Sequence, residues 1–410
     1  MAGSESPRSK EWECSVSNPH TILYRNPDFD GQLGRTLSAA QFHSSDLGEA
    51  LATARGVKTL TGASWHRAWA NAATNAELSA RLSIAIGDTV SARHAHLRAS
   101  EYFRQSYYFL RSDLDDKRLQ DSYRQHVSTF IAATELMKHP AERVKIPFEQ
   151  TYLIGYFYAP DDSRTKRPTL LFPCGYDSTA EAGWLNVPAA LERGYNVLVF
   201  EGPGQGEALF NQRLYLRPDF EKVCTPVVDW LLTRSEVEPT SVALIGRSFA
   251  GYLAPRAAAF EHRLAALVVD PAQPDMAERL PAGMAAKFAG PVVKAQMRFS
   301  QARREFFGAR MAAHGLHDID SYFAELRRFN MLDVSKQIAC PTLIVESEND
   351  FAGGSGRTLQ TAMTAPTTFV QLSAKQGADG HCAGLGQEIW SDAVYGWLRE
   401  TLEHERTSTS

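Results

Sequence analysis

The sequence Ser241-Val242-Ala243-Leu244-Ile245-Gly246-Arg247-Ser248-Phe249-Ala250-Gly251 joins an apolar, β-rich run to an alanine-rich stretch through a serine flanked by small residues. This pattern predicts a strand, a sharp turn and a helix, with the Ser248 hydroxyl projecting above the end of a sheet. The small residues Gly246, Ala250 and Gly251 would let the strand and helix backbones pass closely around a strained nucleophile. A serine in an ordinary strand-to-helix turn fits the same pattern, so the rest of the chain must supply the context.

The composition is typical of a globular protein. The 410 residues are 44% hydrophobic and 22% charged, which allows a sizeable core and more than one structural unit. A formal net charge of -4 gives no basic surface for nucleic acid and no polybasic patch for a membrane. The beginning, Met1 to Lys10, has no apolar signal-peptide core, and no run approaches the roughly 20 apolar residues of a spanning helix. We therefore expect a cytoplasmic protein that binds neither nucleic acid nor membranes.

The cysteines and the glycine-rich loops predict no metal and no cofactor. Five scattered cysteines without metal-ligand spacing fit reduced thiols better than a disulfide framework. They are Cys14, Cys174, Cys224, Cys340 and Cys382. The loop from Phe200 to Glu207 is rich in glycine but lacks the lysine of a P-loop and the spacing of a dinucleotide-binding loop. We interpret this loop as a tight structural turn at the edge of the site.

Residues 1–140 are predicted to form an N-terminal helical cap domain. From Leu47 to Tyr123, apolar positions recur at intervals of three and four, and glycine and proline are rare. An aromatic cluster runs from Tyr102 to Phe109, and Tyr107 and Tyr108 within it are candidates for contact with an aromatic substrate. An aromatic helix face is more often packed core, and that alternative stays open.

Residues 141–410 alternate between short β-rich runs and helix-length stretches. The runs predicted as strands are Arg143–Phe148, Tyr152–Tyr158, Pro168–Phe172, Tyr195–Phe200, Val242–Ile245, Leu264–Val269, Thr342–Val345 and Thr368–Leu372. The alternation predicts an α/β fold built on a mostly parallel, doubly wound sheet. One long helical stretch, residues 271–337, interrupts it, and we expect a lid over the strand ends, where open α/β sheets bind ligands.

Two later loops supply a candidate acid and a candidate base for Ser248. Glu348 and Asp350 follow a predicted buried strand, and we predict Asp350 as the acid with Glu348 in reserve. His381 lies in a glycine-rich loop after the last predicted strand, from which its imidazole would reach back to the serine. The chain order serine, acid, histidine is the order that this kind of triad requires. For an isolated aspartate, a helix cap or a solvated loop would be the better interpretation.

The loop after the third predicted strand is a candidate oxyanion site. It contains Gly175-Tyr176-Asp177, and we predict the backbone N–H groups of Tyr176 and Phe249 as the two donors. Asp177 beside such a site would repel developing negative charge unless it is protonated or acts as an acid or a base. It would equally serve as the cap of a helix that begins near Glu181, and the sequence favours neither role.

Several motifs together resemble the FrsA-like α/β-hydrolases. They are Gly175-Tyr176-Asp177-Ser178-Thr179, Glu201-Gly202-Pro203-Gly204-Gln205-Gly206, Gly246-Arg247-Ser248 with Gly251-Tyr252 and Pro255-Arg256-Ala257-Ala258, and Gly380-His381-Cys382. The resemblance covers the chain from about Tyr102 to Trp397. It implies an α/β-hydrolase fold whose N-terminal helical domain closes over the pocket and often supports a homodimer.

The same resemblance implies roles for individual residues. Ser248, Asp350 and His381 would form the catalytic triad, and Asp177 would be an additional acidic residue of the active site. The chain departs from the family in two places. Ala250 occupies the last position of the turn motif, and the first segment, residues 1–60, has no counterpart.

These observations lead to one leading hypothesis and two alternatives. The leading hypothesis is a serine hydrolase that cleaves a C–C bond of a β-dicarbonyl or polyketide-like ketone by a retro-Claisen step through an acyl-serine. The same triad would serve a carboxylesterase, a thioesterase or an acyl transferase that releases a polyketide. The alternative of another class is a noncatalytic binder on a hydrolase scaffold. The cap and the lid favour a bulky, partly apolar substrate, with Tyr107, Tyr108 and Arg247 as candidate binding residues.

Overall fold

Five helices form the N-terminal part of the chain. The computed structural model describes residues 21–280 and 283–408, so the polar beginning and Cys14 lie outside the described residues. The helices are α1 (Pro27–Ser38), α2 (Leu47–Gly56), α3 (Gly62–Ala85), α4 (Thr89–Tyr107) and α5 (Lys117–Glu135). Each begins after a polar residue whose side chain accepts a hydrogen bond from a first-turn N–H, as Asn26 does before α1 and Asp46 before α2.

A buried aromatic cluster holds these helices together. The Trp65 ring lies edge-on to Phe29, with 5.2 Å between ring centroids, and edge-on to Phe109 at 5.4 Å. Tyr102 and Phe103 of α4 are buried in the same cluster. Such edge-to-face contacts add to the free energy gained from burial of the rings themselves. The aromatic helix face is therefore packed core at Tyr102, Phe103 and Phe109.

An eight-stranded sheet follows the five helices. Its strands are β1 (Glu142–Phe148), β2 (Thr151–Tyr158), β3 (Arg167–Pro173), β4 (Asn196–Phe200), β5 (Val237–Arg247), β6 (Ala266–Asp270), β7 (Thr342–Ser347) and β8 (Thr367–Leu372). They lie in the order β1-β2-β4-β3-β5-β6-β7-β8. β1 and β2 are antiparallel to their neighbours, and all pairs from β4 to β8 are parallel. The predicted mostly parallel sheet is confirmed.

Helices cover both faces of this sheet. The connections contain α6 (Pro188–Glu192), α7 (Gly206–Phe210), α8 (Glu221–Leu231) and α9 (Ala250–Ala258), then α10 (Gly283–Phe299), α11 (Gln301–Ala313) and α12 (Ile319–Leu326) between β6 and β7, then α13 (Gly356–Ala362) and α14 (Gln387–Ser408). Along β5, Leu244 packs with α8 and α9, whereas Ala243 and Ile245 pack on the opposite face with α14. This alternation is why β5 is apolar at every one of these positions.

The stretch predicted as a lid contains α10, α11 and α12. These helices share a small core of their own, which includes Met311, Tyr322 and Leu326. Across the ranges that the structure describes, we find no helix with both the length and the apolar character needed to span a membrane.

Candidate active site

Ser248 occupies the turn between β5 and α9 in a left-handed backbone conformation, with φ of 60°. A residue other than glycine rarely adopts this conformation, so the turn stores strain at the serine. The small neighbours are needed because the backbones cross closely. A Cβ added at Gly246 would clash with the Ala250 carbonyl oxygen, 2.2 Å away. A Cβ added at Gly251 would clash with the Pro271 carbonyl oxygen, 1.9 Å away. The sequence therefore folds locally as the predicted strand, turn and helix.

Three side chains from three loops form one hydrogen-bonded chain. Ser248 Oγ lies 2.8 Å from His381 Nε2, and His381 Nδ1 lies 2.8 Å from Asp350 Oδ1. The Asp350 carboxylate also accepts hydrogen bonds from the N–H groups of Ala352, at 2.7 Å, and Cys382, at 3.1 Å. The Asp350 side chain is fully buried, whereas that of His381 is 30% exposed. The structure brings together the three residues predicted as nucleophile, base and acid.

Glu348, the reserve candidate for the acid, lies outside this chain. It is exposed, and its carboxylate accepts a hydrogen bond from the Ala374 N–H at 2.8 Å. Asn349, which follows it, has a left-handed backbone with φ of 60°. This turn reverses the chain after β7 and directs Asp350, rather than Glu348, towards the histidine.

Opposing effects act on the charge of His381. Burial disfavours the imidazolium, whereas interactions with Cys382 and with the Asp350 carboxylate favour it, and the balance raises the pKa of His381 above its usual value. Burial also raises the pKa of the Cys382 thiol. A neutral imidazole within hydrogen-bond reach of a serine hydroxyl is positioned as a general base. Only the neutral imidazole can accept the serine proton. The predicted base should therefore gain effect as the pH increases through the raised pKa of His381.

Asp350, His381 and Cys382 also lie close enough to ligate a metal ion, with their ligand atoms within 4.8 Å of one another. Both ring nitrogens of His381 are already hydrogen-bonded, one to Asp350 and the other to Ser248. The hydrogen-bonded chain thus accounts for this cluster without an ion.

The loop predicted to bind an oxyanion, residues 174–180 and called the oxyanion loop below, runs beside the serine. An added Cβ at Gly175 would lie 3.2 Å from Ser248 Cβ and 3.5 Å from its Oγ, so glycine permits the close approach. The ring of Tyr176 packs against that of Phe249, with 4.6 Å between centroids. Within the described ranges, the N–H groups of Tyr176 and Phe249 donate to no backbone or side-chain acceptor. The two residues predicted to bind an oxyanion are therefore neighbours beside the nucleophile.

Asp177 is an ionised anchor of the oxyanion loop. Its carboxylate accepts hydrogen bonds from the Tyr108 hydroxyl, at 2.5 Å, and from the Arg35 guanidinium, at 3.1 Å. A second guanidinium, that of Arg111, lies 3.9 Å away. Burial alone would raise the pKa of Asp177, but the two arginines and the Tyr108 hydroxyl hold it well below its usual range.

Two of the roles expected for Asp177, the helix cap and the acid, do not match these contacts, whereas the role of a base stays a prediction. The short helix near Glu181 begins at Ala182, and the Ala182 N–H donates to the Thr179 hydroxyl at 3.2 Å rather than to Asp177. An ionised carboxylate carries no proton that it could give to a leaving group. Helix α1 supplies Arg35, and the segment between α4 and α5 supplies Tyr108 and Arg111, so Asp177 connects the N-terminal helical region to the oxyanion loop.

The glycine-rich loop after β4 braces the oxyanion loop. The Glu201 carboxyl group accepts a hydrogen bond from the Ala180 N–H at 3.0 Å, and the Gln205 side chain donates to the Cys174 carbonyl at 2.6 Å. The sequence identified this loop as a turn at the edge of the site but did not single out these two side chains. Their signal is an acidic and an amide residue at the two ends of Gly202-Pro203-Gly204.

Arg247, a predicted substrate contact, instead links the nucleophile to the base. Its guanidinium donates to the Cys382 carbonyl, at 2.8 Å, and to the Gln387 and Asn186 side chains, at 3.0 and 2.9 Å. Because Arg247 precedes Ser248 and Cys382 follows His381, this contact fixes the base relative to the nucleophile. The geometry gives Arg247 a positioning role.

Tyr107 and Tyr108 differ although they are adjacent. Tyr107 is 1% exposed, and its ring is edge-on to Phe210 and Tyr123 at 5.8 and 6.1 Å, so it packs in the core, and these contacts give no support to its predicted contact with a substrate. Tyr108 is half-buried and holds Asp177, with the Arg111 guanidinium 4.0 Å above its ring. A role of Tyr108 in substrate binding stays a prediction.

Comparison with known proteins places this site in a family. Residues 169–388 match the alpha/beta hydrolase family. The chain is 36% identical over 259 residues to the hydrolyase poxO of Penicillium oxalicum, a match that spans 61% of this chain but only 62% of poxO. It is 31% identical over 425 residues to the hydrolase acrC of Aspergillus aculeatus, covering 94% of this chain and 99% of acrC.

A solved structure supports the same fold. The 2,6-dihydroxy-pseudo-oxynicotine hydrolase superposes with a TM-score of 0.72 at 23% identity, over 90% of this chain and 95% of that protein. The superposition therefore extends beyond the sheet to the N-terminal helices. Together, the family match and the near-complete alignment to acrC show that the chain belongs to the alpha/beta hydrolase family.

Proposed function

We propose that this hydrolase works through an acyl-enzyme formed on Ser248. The observation that carries the proposal is the continuous hydrogen-bonded chain from Asp350 through His381 to a serine in a strained turn. His381 takes the proton of Ser248 as the oxygen attacks a substrate carbonyl, and Asp350 orients and stabilises the imidazolium. The N–H groups of Tyr176 and Phe249 bind the oxyanion of the tetrahedral intermediate.

For the bond that is cleaved, we propose the C–C bond next to a carbonyl of a β-dicarbonyl or polyketide-like ketone. The tetrahedral intermediate expels an enolate and leaves an acyl group on Ser248. The enolate carbon takes the proton that His381 removed from the serine. Water, deprotonated by His381, then attacks the acyl-serine and releases a carboxylic acid. Because Asp177 is ionised, the structure supports His381 as the proton donor to carbon.

The resemblance to the FrsA-like family supports this bond type, and the fungal relatives poxO and acrC are a hydrolyase and a hydrolase by name. Ester or thioester cleavage, including release of a polyketide by acyl transfer, is the second candidate. It is favoured by the triad geometry itself, which activates the serine for attack on any acyl group whatever the leaving atom.

Covalent labelling tests the acyl-serine part of the proposal. A fluorophosphonate should label the wild type at Ser248, with loss of fluoride, and should fail to label Ser248→Ala and His381→Ala. His262→Ala is the matched control, because His262 is exposed and the one hydrogen bond of its ring among the described residues is to the Ala259 carbonyl, at 3.2 Å. Equal labelling of Ser248→Ala and wild type, or none in the wild type, would favour the noncatalytic binder.

Product analysis by mass spectrometry tests the bond type. The wild type should cleave a 1,3-diketone polyketide mimic into an acid and a ketone faster than it hydrolyses a matched aryl ester or thioester. Turnover of only the ester or thioester would replace the C–C proposal with the second candidate. Asp177→Asn should slow all substrates by the same factor, because an anchor acts on every oxyanion. A loss confined to the diketone would return Asp177 to the role of an acid or a base.

A further inference from the structure

The side chain of Tyr176 extends from the oxyanion loop into the lid. Its hydroxyl lies 2.5 Å from Nε2 of His314, the residue that directly follows α11, and 3.4 Å from the hydroxyl of Tyr322 in α12. The guanidinium of Arg310, also in α11, faces the Tyr176 ring at 5.5 Å from its centroid. The residue whose N–H is proposed to bind the oxyanion is thus held through its side chain by two lid helices.

His314 is placed for this single polar contact. It is 7% exposed and packs against the rings of Tyr322 and Phe329, at 5.5 and 5.2 Å between centroids. Burial lowers the pKa of His314 to about 3, so the imidazole is neutral near pH 7. Its Nδ1 atom is buried and has no hydrogen-bond partner among the described residues. A buried polar ring is unfavourable unless it is hydrogen-bonded, and Tyr176 supplies that bond.

The next residue along the loop is held from another direction. Asp177 is bound by Arg35 of α1 and by Arg111 of the segment between α4 and α5. Consecutive residues of the oxyanion loop are therefore fixed by the two helical additions to the sheet, Tyr176 by the lid and Asp177 by the N-terminal helices. The proposed donor, the Tyr176 N–H, therefore belongs to the residue that the lid holds. Asp177, which the N-terminal helices hold, is the next residue.

We propose that His314 is a positioning residue for the oxyanion site. Its hydrogen bond to the Tyr176 hydroxyl sets the orientation of the Tyr176 backbone N–H, so the site is complete only while the lid lies against the loop. Placing the lid over a substrate and completing the oxyanion site are then one event. The inference rests on the proposed acyl-serine mechanism and extends it to the lid.

The test compares variants that remove or keep this hydrogen bond. His314→Phe keeps an aromatic ring without the nitrogen, Tyr176→Phe removes one oxygen atom, and the double variant removes both partners. His314→Gln keeps a hydrogen-bonding group and serves as the conservative rescue. The matched control is His317→Phe, because His317 is exposed in the same part of the lid. The readouts are the rate of fluorophosphonate labelling and the kcat and KM for p-nitrophenyl butyrate.

We expect His314→Phe and Tyr176→Phe each to lower kcat by roughly 10- to 100-fold with KM nearly unchanged. Removing an oxyanion donor altogether typically lowers kcat by about 100- to 1000-fold. The expected loss is smaller because these variants displace the Tyr176 N–H and do not remove it. The double variant should lose no more than either single variant, since both break the same contact. His314→Gln should recover most of the activity, and His317→Phe should equal the wild type.

Three results would overturn the inference while leaving the acyl-serine mechanism intact: a rise in KM at constant kcat, single effects that multiply in the double variant, or a wild-type rate in both single variants. Failure of the wild type to be labelled would overturn the mechanism and the inference together. If His314→Phe does not fold, as judged by thermal unfolding, Tyr176→Phe and His314→Gln still decide the outcome, because neither changes the side-chain volume greatly.

Discussion

Two loops flank Ser248, and they are held in place in different ways. The histidine loop, residues 378–386, is fixed by groups at the ends of sheet strands. Arg247 at the end of β5 binds the Cys382 carbonyl, and the Ser347 hydroxyl at the end of β7 accepts the Ala383 N–H at 3.0 Å. The oxyanion loop depends instead on helices outside the sheet, through Asp177 and Tyr176.

The difference separates two tasks of one site. The part that activates the nucleophile is built by the sheet and by the turns that end its strands. On the proposed mechanism, the part that binds the oxyanion would be complete only when the N-terminal helices and the lid are both in contact with the loop. The hydrolase core alone would therefore hold an activated serine without a fully ordered oxyanion site.

The largest effects should come from the part built by the sheet. Ser248→Ala should lower kcat for an activated aryl ester by about 10⁶-fold, as expected when the nucleophile of a serine triad is removed. The measurement is ester hydrolysis together with thermal unfolding, which should be unchanged. A loss smaller than that of the oxyanion-loop variants would reverse the division of tasks.

Asp350→Asn should lower kcat by about 10⁴-fold, because the imidazole loses the group that fixes its tautomer and stabilises its charge. The variant should also change the pH dependence. The base acts when neutral, so kcat/KM rises as the pH increases through the pKa of His381, and Asp350 helps to raise that pKa. The rise should therefore move to lower pH in the variant. An unmoved pH profile of kcat/KM would contradict this coupling.

The sheet-built part was the more predictable from sequence. All eight predicted strands are present, although β5 begins at Val237 rather than Val242. Apolar runs, and the order of serine, acid and histidine along the chain, can be recognised without knowledge of tertiary contacts. The turn at Ser248 needs glycine at neighbouring positions, which the sequence shows directly.

The oxyanion part was less predictable because its contacts are distant along the chain. Arg35 and Asp177 are 142 residues apart, and Tyr176 and His314 are 138 apart. Arg35 also lies within residues 1–60, a segment that carries none of the FrsA-like motifs. A single sequence gives no signal for such a pair. The same limit applies to Arg247, for which the sequence predicts a substrate contact, whereas the structure shows hydrogen bonds to groups that include a backbone carbonyl 135 residues away.

The next largest effect should come from Arg247, which belongs to the sheet-built part. Arg247→Met should lower kcat by about 100-fold, the cost typical of a displacement of about 1 Å in a catalytic group. Arg256→Met is the matched control, since Arg256 of α9 pairs with Glu221 of α8, at 2.8 Å, and not with the histidine loop. Similar losses in both variants would show a general effect of breaking an ion pair near α9.

Arg247→Met should also change stability in a pH-dependent way. Burial raises the pKa of Asp270 to about 6, and Arg247, whose Nε lies 3.4 Å from its carboxylate, limits that rise. A raised carboxyl pKa lowers stability as the pH rises from the unfolded-state value towards the folded-state value. Without Arg247 the folded-state pKa of Asp270 is higher. The free energy of unfolding of the variant should therefore continue to fall above pH 6. Unfolding free energies from pH 5 to 8 measure this difference, and a constant gap would contradict it.

A smaller effect should follow from breaking the ion pair between Asp177 and Arg35, which anchors the oxyanion loop. Asp177→Asn and Arg35→Met should each lower kcat by roughly 10-fold, less than loss of a donor itself. Both should destabilise the fold by about 1 to 2 kcal/mol near pH 7, a value below that of a fully buried pair because both side chains are about a quarter exposed. Asp121→Asn, in a surface ion pair, is the control.

The stability gap of Asp177→Asn should depend on pH with a definite sign. The pKa of Asp177 is depressed in the folded state, so its contribution is complete above the unfolded-state value of about 4 and is lost as the pH falls towards the lower folded-state value. The gap between wild type and variant should therefore narrow below pH 4. A gap that widens in acid would show that Asp177 is protonated in the folded protein and would restore it as a candidate proton donor.

The smallest effect should come from Ala250→Gly, which restores the usual residue of the turn motif. The space at Gly246 is closed by the Ala250 carbonyl and the Ala254 methyl group, and not by the methyl group of Ala250 itself. Removing that methyl group should therefore leave kcat within about twofold of the wild type and cost less than about 1 kcal/mol, since Ala250 lies at the first position of α9. Ester kinetics and urea unfolding measure both quantities. A large loss of kcat at unchanged stability would mean that the Ala250 methyl group seats Ser248, and that a residue on the helix, beyond the strand ends, also controls the nucleophile.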